Sequence, residues 1–371
     1  MTVLVTGGAG FVGSHLVDAL VARGERVRVL DCLEPQVHGA APARPAYLNA
    51  QAELVVGDVR DREALARALD GVEVVFHLAA AVGVGQSMYE IERYVSANAV
   101  GAAVLLEEVV RRRDRIRKLL VASSMSLYGE GAYRDASGAL VSPGLRGEEQ
   151  LRARRFELED DAGRVLVPVP TPETKPLQPT SIYAVTKRDH EEMFLVVGAA
   201  YGIPTVALRY FNIYGTRQSL SNPYTGVIAI FASRLLNRRR PLVFEDGRQT
   251  RDFVHVSDVV RANLAALDHA AANGRVYNVG TGAATSVLQV AEILAGELGF
   301  SEPPEVTQRY RAGDIRHCVA DPSRIARELG FRARVTLDEG MRELLDWLRD
   351  EPASDRVDEA ARELAARGLT R

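Results

Sequence analysis

Tyr183 and Lys187 stand four residues apart in Ile182-Tyr-Ala-Val-Thr-Lys-Arg188. Residues at that spacing share one face of a helix, so a phenol and an ammonium can meet there. A nearby ammonium lowers a phenol's pKa, and a cationic cofactor ring would lower it further. A phenolate near neutral pH takes a proton from a hydroxyl as a general base. Taken alone, the pair is more often just an exposed helix face. Upstream, Ser123 and Ser124 close the apolar run that starts at Lys118. A hydroxyl at the carboxyl end of that strand can bond the same substrate oxygen as the tyrosine. The alternative is a serine turn satisfying its own backbone.

These groups need elements to hold them, and the chain begins with one. Val3-Leu-Val5 reads as a strand, and Gly7, Gly10 and Gly13 follow at GxxGxxG spacing. Phe11 and Val12 then open an apolar helix through Leu16, Ala19 and Leu20. Strand, glycine turn and helix make a dinucleotide site: backbone without Cβ atoms approaches a pyrophosphate at the helix N-terminus. The second strand, Arg26 to Leu30, ends on Asp31. An acid there accepts from the adenosine ribose hydroxyls and repels a 2′-phosphate, which favours NAD over NADP. A capping or turn aspartate is the other reading.

Strands at 53–57, 72–77 and 118–123 alternate with helices at 62–69 and 88–112. That order predicts an α/β fold, a Rossmann-type doubly wound parallel sheet with ligands at the strands' carboxyl ends. Asn98 lies in the apolar face of the second helix, as a core hydrogen-bonder or a cofactor contact. Pro35 to Pro45 reads as a loop. Periodicity fails from about 130 to 179, which predicts a surface excursion with a small hairpin. A helix at 183–200 and a strand at 205–209 complete the first domain, residues 1–210. A smaller α/β substrate domain spans 211–350, with its own strand at 276–279. The Ala-, Arg- and Glu-rich tail, 351–371, predicts an exposed helix.

With 47% hydrophobic and 26% charged residues, the composition is that of an ordinary globular protein. A net charge of −3 gives no reason to expect nucleic acid. The run Arg111 to Arg113 reads as a solvated helix end. No apolar stretch is long enough for a bilayer, and a strand starting at Thr2 leaves no room for a signal peptide. Cys32 and Cys318 show no metal spacing, so no metal and a cytoplasmic setting are expected.

With Asp58-Val59, His77-Leu-Ala-Ala80, Asn98, Ser124 before Tyr128-Gly129, and Arg209-Tyr-Phe-Asn-Ile-Tyr-Gly215, the chain resembles the nucleotide-sugar epimerase/dehydratase family of extended short-chain dehydrogenases/reductases. The resemblance spans about residues 2 to 345. It implies bound NAD, with Asp58 and Val59 at the adenine and Leu78, Ala79 and Ala80 along the pyrophosphate and nicotinamide ribose. Asn98 joins that cofactor set. It implies Ser124, Tyr183 and Lys187 as catalytic residues, Lys187 also binding the nicotinamide ribose. Asn212, Arg251 and Arg311 match contacts to the diphosphate and nucleoside of a nucleotide-diphosphate sugar, and Asp314 matches a contact to its ribose. Ser124 contacts the sugar. Cys318 falls where relatives carry a bulkier residue, which implies a roomier pocket. A homodimer through helices 88–112 and 183–200 is implied as well. Dehydratases and decarboxylases of the family keep acids after the catalytic Ser; here Met125 and Ser126 follow. The expected reaction is 4-epimerisation of a dTDP- or UDP-hexose through a 4-keto intermediate. A nucleotide-4-ketosugar reductase, another oxidoreductase or dehydratase of the family, and a non-enzymatic NAD sensor stay open.

Overall fold

The computed structural model describes residues 1–39, 43–311, 313–349, 351 and 354–370. Successive side chains of a strand point to opposite faces, and strand β1 (Thr2–Thr6) uses both. Val3 and Val5 enter an apolar cluster with Leu16, Leu208 and Tyr277, while Leu4 enters another with Leu65, Leu105 and Phe194. A strand buried on both faces belongs in the middle of a parallel sheet covered by helices.

The sheet contains β1, β2 (Arg26–Asp31), β3 (Glu53–Val56), β4 (Val74–His77), β5 (Lys118–Ser124), β6 (Thr205–Tyr210) and β7 (Arg275–Val279). Its order is β7-β6-β5-β4-β1-β2-β3, parallel throughout. The order reverses between β1 and β4, and such a switch point opens a crevice at the strands' carboxyl ends. Helix α1 (Phe11–Ala22) covers one face; α2 (Arg62–Ala68), α3 (Gly101–Val110) and α4 (Ile182–Tyr201) cover the other.

The helix expected at 88–112 is not one helix. An α-turn at Ile91–Tyr94 runs into a π-helical segment, Val95–Val100, before α3 begins. The π segment is explained by Asn98, which is fully buried within it. Pro35–His38 forms a short helical turn inside the expected loop, of which residues 40–42 lie outside the described residues.

The second lobe packs α5 (Val227–Leu236), α7 (Val287–Glu297) and α8 (Leu337–Leu348) around Phe231, Leu294 and Leu344. Capping boxes at Ser286/Gln289 and Thr336/Glu339 start the last two. The strand at 275–279 leaves this lobe and forms the edge of the large sheet, with α6 (Val256–Asp268) packed beside α1.

Residues 132–169 build a three-stranded antiparallel sheet, with Ala132–Arg134 between Leu140–Val141 and Val167–Val169. This segment lies largely on the surface, as expected, and is anchored inward at a few charged residues. Arg146 and Arg316 are buried, and each donates to Glu245 Oε2, at 2.8 and 2.9 Å. Glu157, bonded by His317 and Arg316, is held down to about 2. Buried charges are tolerated when paired this closely, and their geometry is specific. Among the described residues no helix is long and apolar enough to cross a membrane.

The tail forms the expected helix, but the helix is docked rather than wholly exposed. Helix α9 (Val357–Ala366) buries Ala360 and Leu364, and Asp358 bonds Arg234 and Arg239 at 2.7 and 2.6 Å.

Candidate active site

The glycine turn separates glycines the fold requires from one it leaves free. A Cβ on Gly13 would lie 2.2 Å from Gly7 O, and one on Gly7 2.7 Å from Ala79 N. Gly7 also has φ +69°, a left-handed conformation suited to glycine. A Cβ on Gly10 would meet only Gly7 O, at 3.3 Å. Helix α1 starts there with no side-chain cap and no acid in its first turn. Phe11 and Val12 are partly exposed at that end. Open space beside an uncapped helix N-terminus fits a pyrophosphate.

Asp31 ends β2 at the same edge. Its carboxylate accepts from Ala9 N at 3.0 Å and Leu33 N at 2.9 Å, so it also clamps the glycine turn. Each oxygen keeps a lone pair for a ribose hydroxyl. His38, which sequence reasoning passed over, places Nε2 4.0 Å from Oδ1. Asp58 is engaged by Arg60, which donates Nε and Nη2 to it at 2.9 and 2.6 Å and holds its carboxyl below the usual range. Arg60 is therefore no free partner for a 2′-phosphate. Val59 packs at Gly101, where a Cβ would lie 2.7 Å from its Cγ2. Together these features fit NAD.

Leu78, Ala79 and Ala80 leave β4 directly above Gly7, close enough that no side chain fits between. His77 is neutral, with its pKa pushed down to about 3 by burial, and its ring stacks on Phe194. Asn98 acts on this loop from behind. It accepts from Ala81 N at 2.7 Å and donates Nδ2 to Ala81 O and Thr186 Oγ1, at 3.1 and 3.0 Å. Both amide hydrogens are used, so Asn98 positions the loop rather than presenting a donor to a ligand.

Ser123 and Ser124 separate cleanly. Ser123 is buried and donates to Glu191 Oε2 at 2.7 Å, within a network joining Arg209, Tyr128 and Asn278. Ser124 turns into the crevice. Its Oγ accepts from Ser126 N at 3.1 Å and Ser126 Oγ at 2.9 Å, leaving its own hydrogen to donate. That hydroxyl faces Tyr183 and is the influence that lowers the phenol's pKa.

Tyr183 and Lys187 sit in the first two turns of α4, capped by Ser181. Tyr183 N donates to Ser87 Oγ at 3.0 Å, which fixes the helix start against the 82–88 loop. Lys187 is buried, donates Nζ to Ala122 O at 3.0 Å, and is pushed down to about 7 by desolvation. The expected lowering of the phenol by Lys187 is not what governs it here: burial drives Tyr183 up to about 12, and the weaker opposing influence is Ser124. Without a cation bound beside it, the residue is a phenol.

The second lobe brings the other residues to the same edge. Ser124 pairs in register with Tyr210, and Asn212 follows two residues later. Asn212 Oδ1 is buried and finds no partner among the described residues. An orphaned buried acceptor fits a ligand donor. Arg251 donates Nη1 to the Thr250 and Arg316 carbonyls and Nη2 to Ile315 O, so it first braces the strand leading to Cys318. Arg311 lies 4.0 Å over the Phe244 ring, with Nε buried and unpartnered. Asp314 N bonds Arg311 O at 3.3 Å, and the preceding Gly313 O accepts from Thr180 Oγ1 at 3.2 Å, three residues before Tyr183. Cys318 is buried with Met125, Tyr128, Phe211 and Ala320, its thiol pushed up to about 12.

The model of the NAD dependent epimerase/dehydratase family matches residues 3–144 and 162–280. The chain is 40% identical over 352 residues to the dTDP-L-rhamnose 4-epimerase of Burkholderia thailandensis, covering 94% of this chain and 95% of that protein. The crystal structure of UDP-glucose 4-epimerase with UDP-glucose from Thermotoga maritima is similar at a TM-score of 0.78 and 32% identity, covering 94% of this chain and 99% of that one. The Thermus thermophilus UDP-glucose 4-epimerase in complex with NAD is similar at a TM-score of 0.74 and 32% identity, covering 95% and 100%.

Proposed function

The chain belongs to the NAD dependent epimerase/dehydratase family, and we propose that it is a nucleotide-sugar 4-epimerase acting on a dTDP- or UDP-hexose through a 4-keto form. The observation that carries this is Ser124 beside Tyr183, where it lowers the phenol's pKa, with no acid in the two positions after Ser124. Met125 is packed into the core and the Ser126 hydroxyl is spent on Ser124. Neither moves a proton near pH 7, so dehydration and decarboxylation lack the group they need.

NAD, when bound, accepts the C4 hydride and returns it, and its oxidised ring adds a positive charge beside the phenol. Tyr183 takes the proton of the C4 hydroxyl and later gives it back to the other face. Ser124 donates to the same oxygen. Lys187 supports the phenolate and binds the nicotinamide ribose, its amine aligned by Ala122 O. Asn212, Arg311 and Asp314 hold the nucleotide diphosphate while the hexose turns, and Arg251 joins them with the donors it has left.

We infer a homodimer as well, supported by exposed Ile91, Val95 and Val100 beside exposed Val185 and Val196 of α4.

The reaction has an isotopic test. Run in D₂O on UDP- and dTDP-hexoses, it yields a C4 epimer with no carbon-bound deuterium by mass spectrometry. Loss of water, loss of CO₂, or deuterium at C3 or C5 would overturn it.

A further inference from the structure

We propose that the C-terminal tail is a wall of the sugar-nucleotide site and that Thr370 binds the substrate's nucleotide diphosphate together with Arg311; this rests on the nucleotide-sugar reading above. Three contacts carry the tail across the crevice. Ser354 N donates to Ser221 Oγ at 3.1 Å. The Leu364 methyls lie 3.4 and 3.6 Å from the Cβ position of Gly85. The Arg367 guanidinium covers the Tyr89 ring at 4.2 Å, and Tyr89 in turn bonds Tyr224 through the hydroxyls at 2.6 Å. The segments touched, 83–89 and 221–224, flank the crevice, and Ser87 in the first bonds Tyr183 N.

The tail then ends at the ligand-binding arginine. Thr370 forms an antiparallel bridge with Arg311. Thr370 Oγ1 and Arg311 Nε are both buried, and both lack a partner among the described residues. Buried polar atoms are satisfied in the great majority of cases, and exceptions point to a missing ligand. Here an unpartnered hydroxyl and an unpartnered guanidinium N–H sit on two residues paired by one bridge, the guanidinium over the Phe244 ring. A hydroxyl and a guanidinium N–H on paired residues suit phosphate oxygens, and the arginine supplies the charge.

The test uses the full NAD-loaded protein, a chain ending at Arg367, and Thr370→Val, which keeps the backbone bridge. UDP and dTDP affinities are measured by calorimetry, and KM and kcat on nucleotide hexoses by product assay. Both variants weaken nucleotide binding by about tenfold, the loss of a charge-assisted contact. They raise KM and leave kcat near the parent value, because Ser124, Tyr183 and Lys187 are untouched. Melting with retained NAD shows that the variants fold. Parent-like affinity and KM in both would overturn the role of the tail alone. A parent protein that binds neither UDP nor dTDP would overturn the nucleotide-sugar reading and this inference with it.

Discussion

A phenol held near 12 and an amine held near 7 make an unusual pair, since each has moved toward its neutral form. Burial explains both shifts, because desolvation disfavours charge of either sign. The Tyr-x-x-x-Lys spacing was legible in the sequence; the desolvation was not, because it comes from packing against β5 and the 82–88 loop. Tyr183→Phe removes only the ionisable oxygen, so kcat should fall by about 10²–10⁴ with NAD still bound; near-parent turnover would remove Tyr183 from the mechanism. Lys187 has a stability consequence in the NAD-free protein. Its folded pKa of about 7 lies below its ordinary 10.5, so the unfolded chain binds the extra proton between them. Stability then rises with pH across that window. The unfolding free energy of the parent relative to Lys187→Met should climb from pH 7 to pH 10, and a flat difference in denaturant titrations would contradict it.

At the scale of elements, the glycine turn was read correctly as a strand–turn–helix unit, yet spacing did not distinguish the roles of its glycines. Gly13 has no room for a side chain against Gly7 O, at 2.2 Å, whereas a Cβ on Gly10 meets only Gly7 O, at 3.3 Å. Gly13→Ala should therefore destabilise the protein by about 1–3 kcal/mol, as overpacking does. Gly10→Ala should melt like the parent and bind NAD roughly tenfold more weakly or worse. Equal NAD affinity in Gly10→Ala would place the pyrophosphate elsewhere. The π-helical turn around Asn98 was not legible, because the apolar spacing continues unbroken through Val95, Ala99 and Ala102. Asn98 makes its contact there to Ala81, seventeen residues away. The excursion is largely exposed and carries the expected hairpin, but its anchor was not legible: Arg146 and Glu157 meet Glu245, Arg316 and His317 from distant segments.

At the scale of the whole molecule, local pattern predicts the parallel sheet but not which lobe receives a given strand. Val276 to Val279 would suit either lobe, and only pairing with β6 assigns it to the large sheet. The tail hides its inward face in the same way, since of the apolar residues scattered through its helix only Ala360 and Leu364 are buried. An unexplained apolar surface is the stripe shared by α4 and the segment from Ile91 into the π-helical turn. Ile91 and Val95 are four residues apart, and Val185 and Val196 are three helical turns apart, so each pair shares a face. Val196 is 67% exposed and Ile91 50%. Asn98 bonds Thr186, which keeps the two elements side by side and their apolar faces in one patch. A symmetric dimer places such a patch against its own copy, so two helical elements from each protomer meet about a twofold axis. A stable interface of this kind buries about 1,200–2,000 Å² in total. Symmetry also doubles any charge placed there, and Val196→Arg sets two guanidiniums into an apolar contact. Light scattering at micromolar concentration should report twice the chain mass for the parent and the single chain mass for Val196→Arg, with NAD bound in both. A parent protein scattering as a monomer would leave the stripe to some other partner and end the dimer proposal.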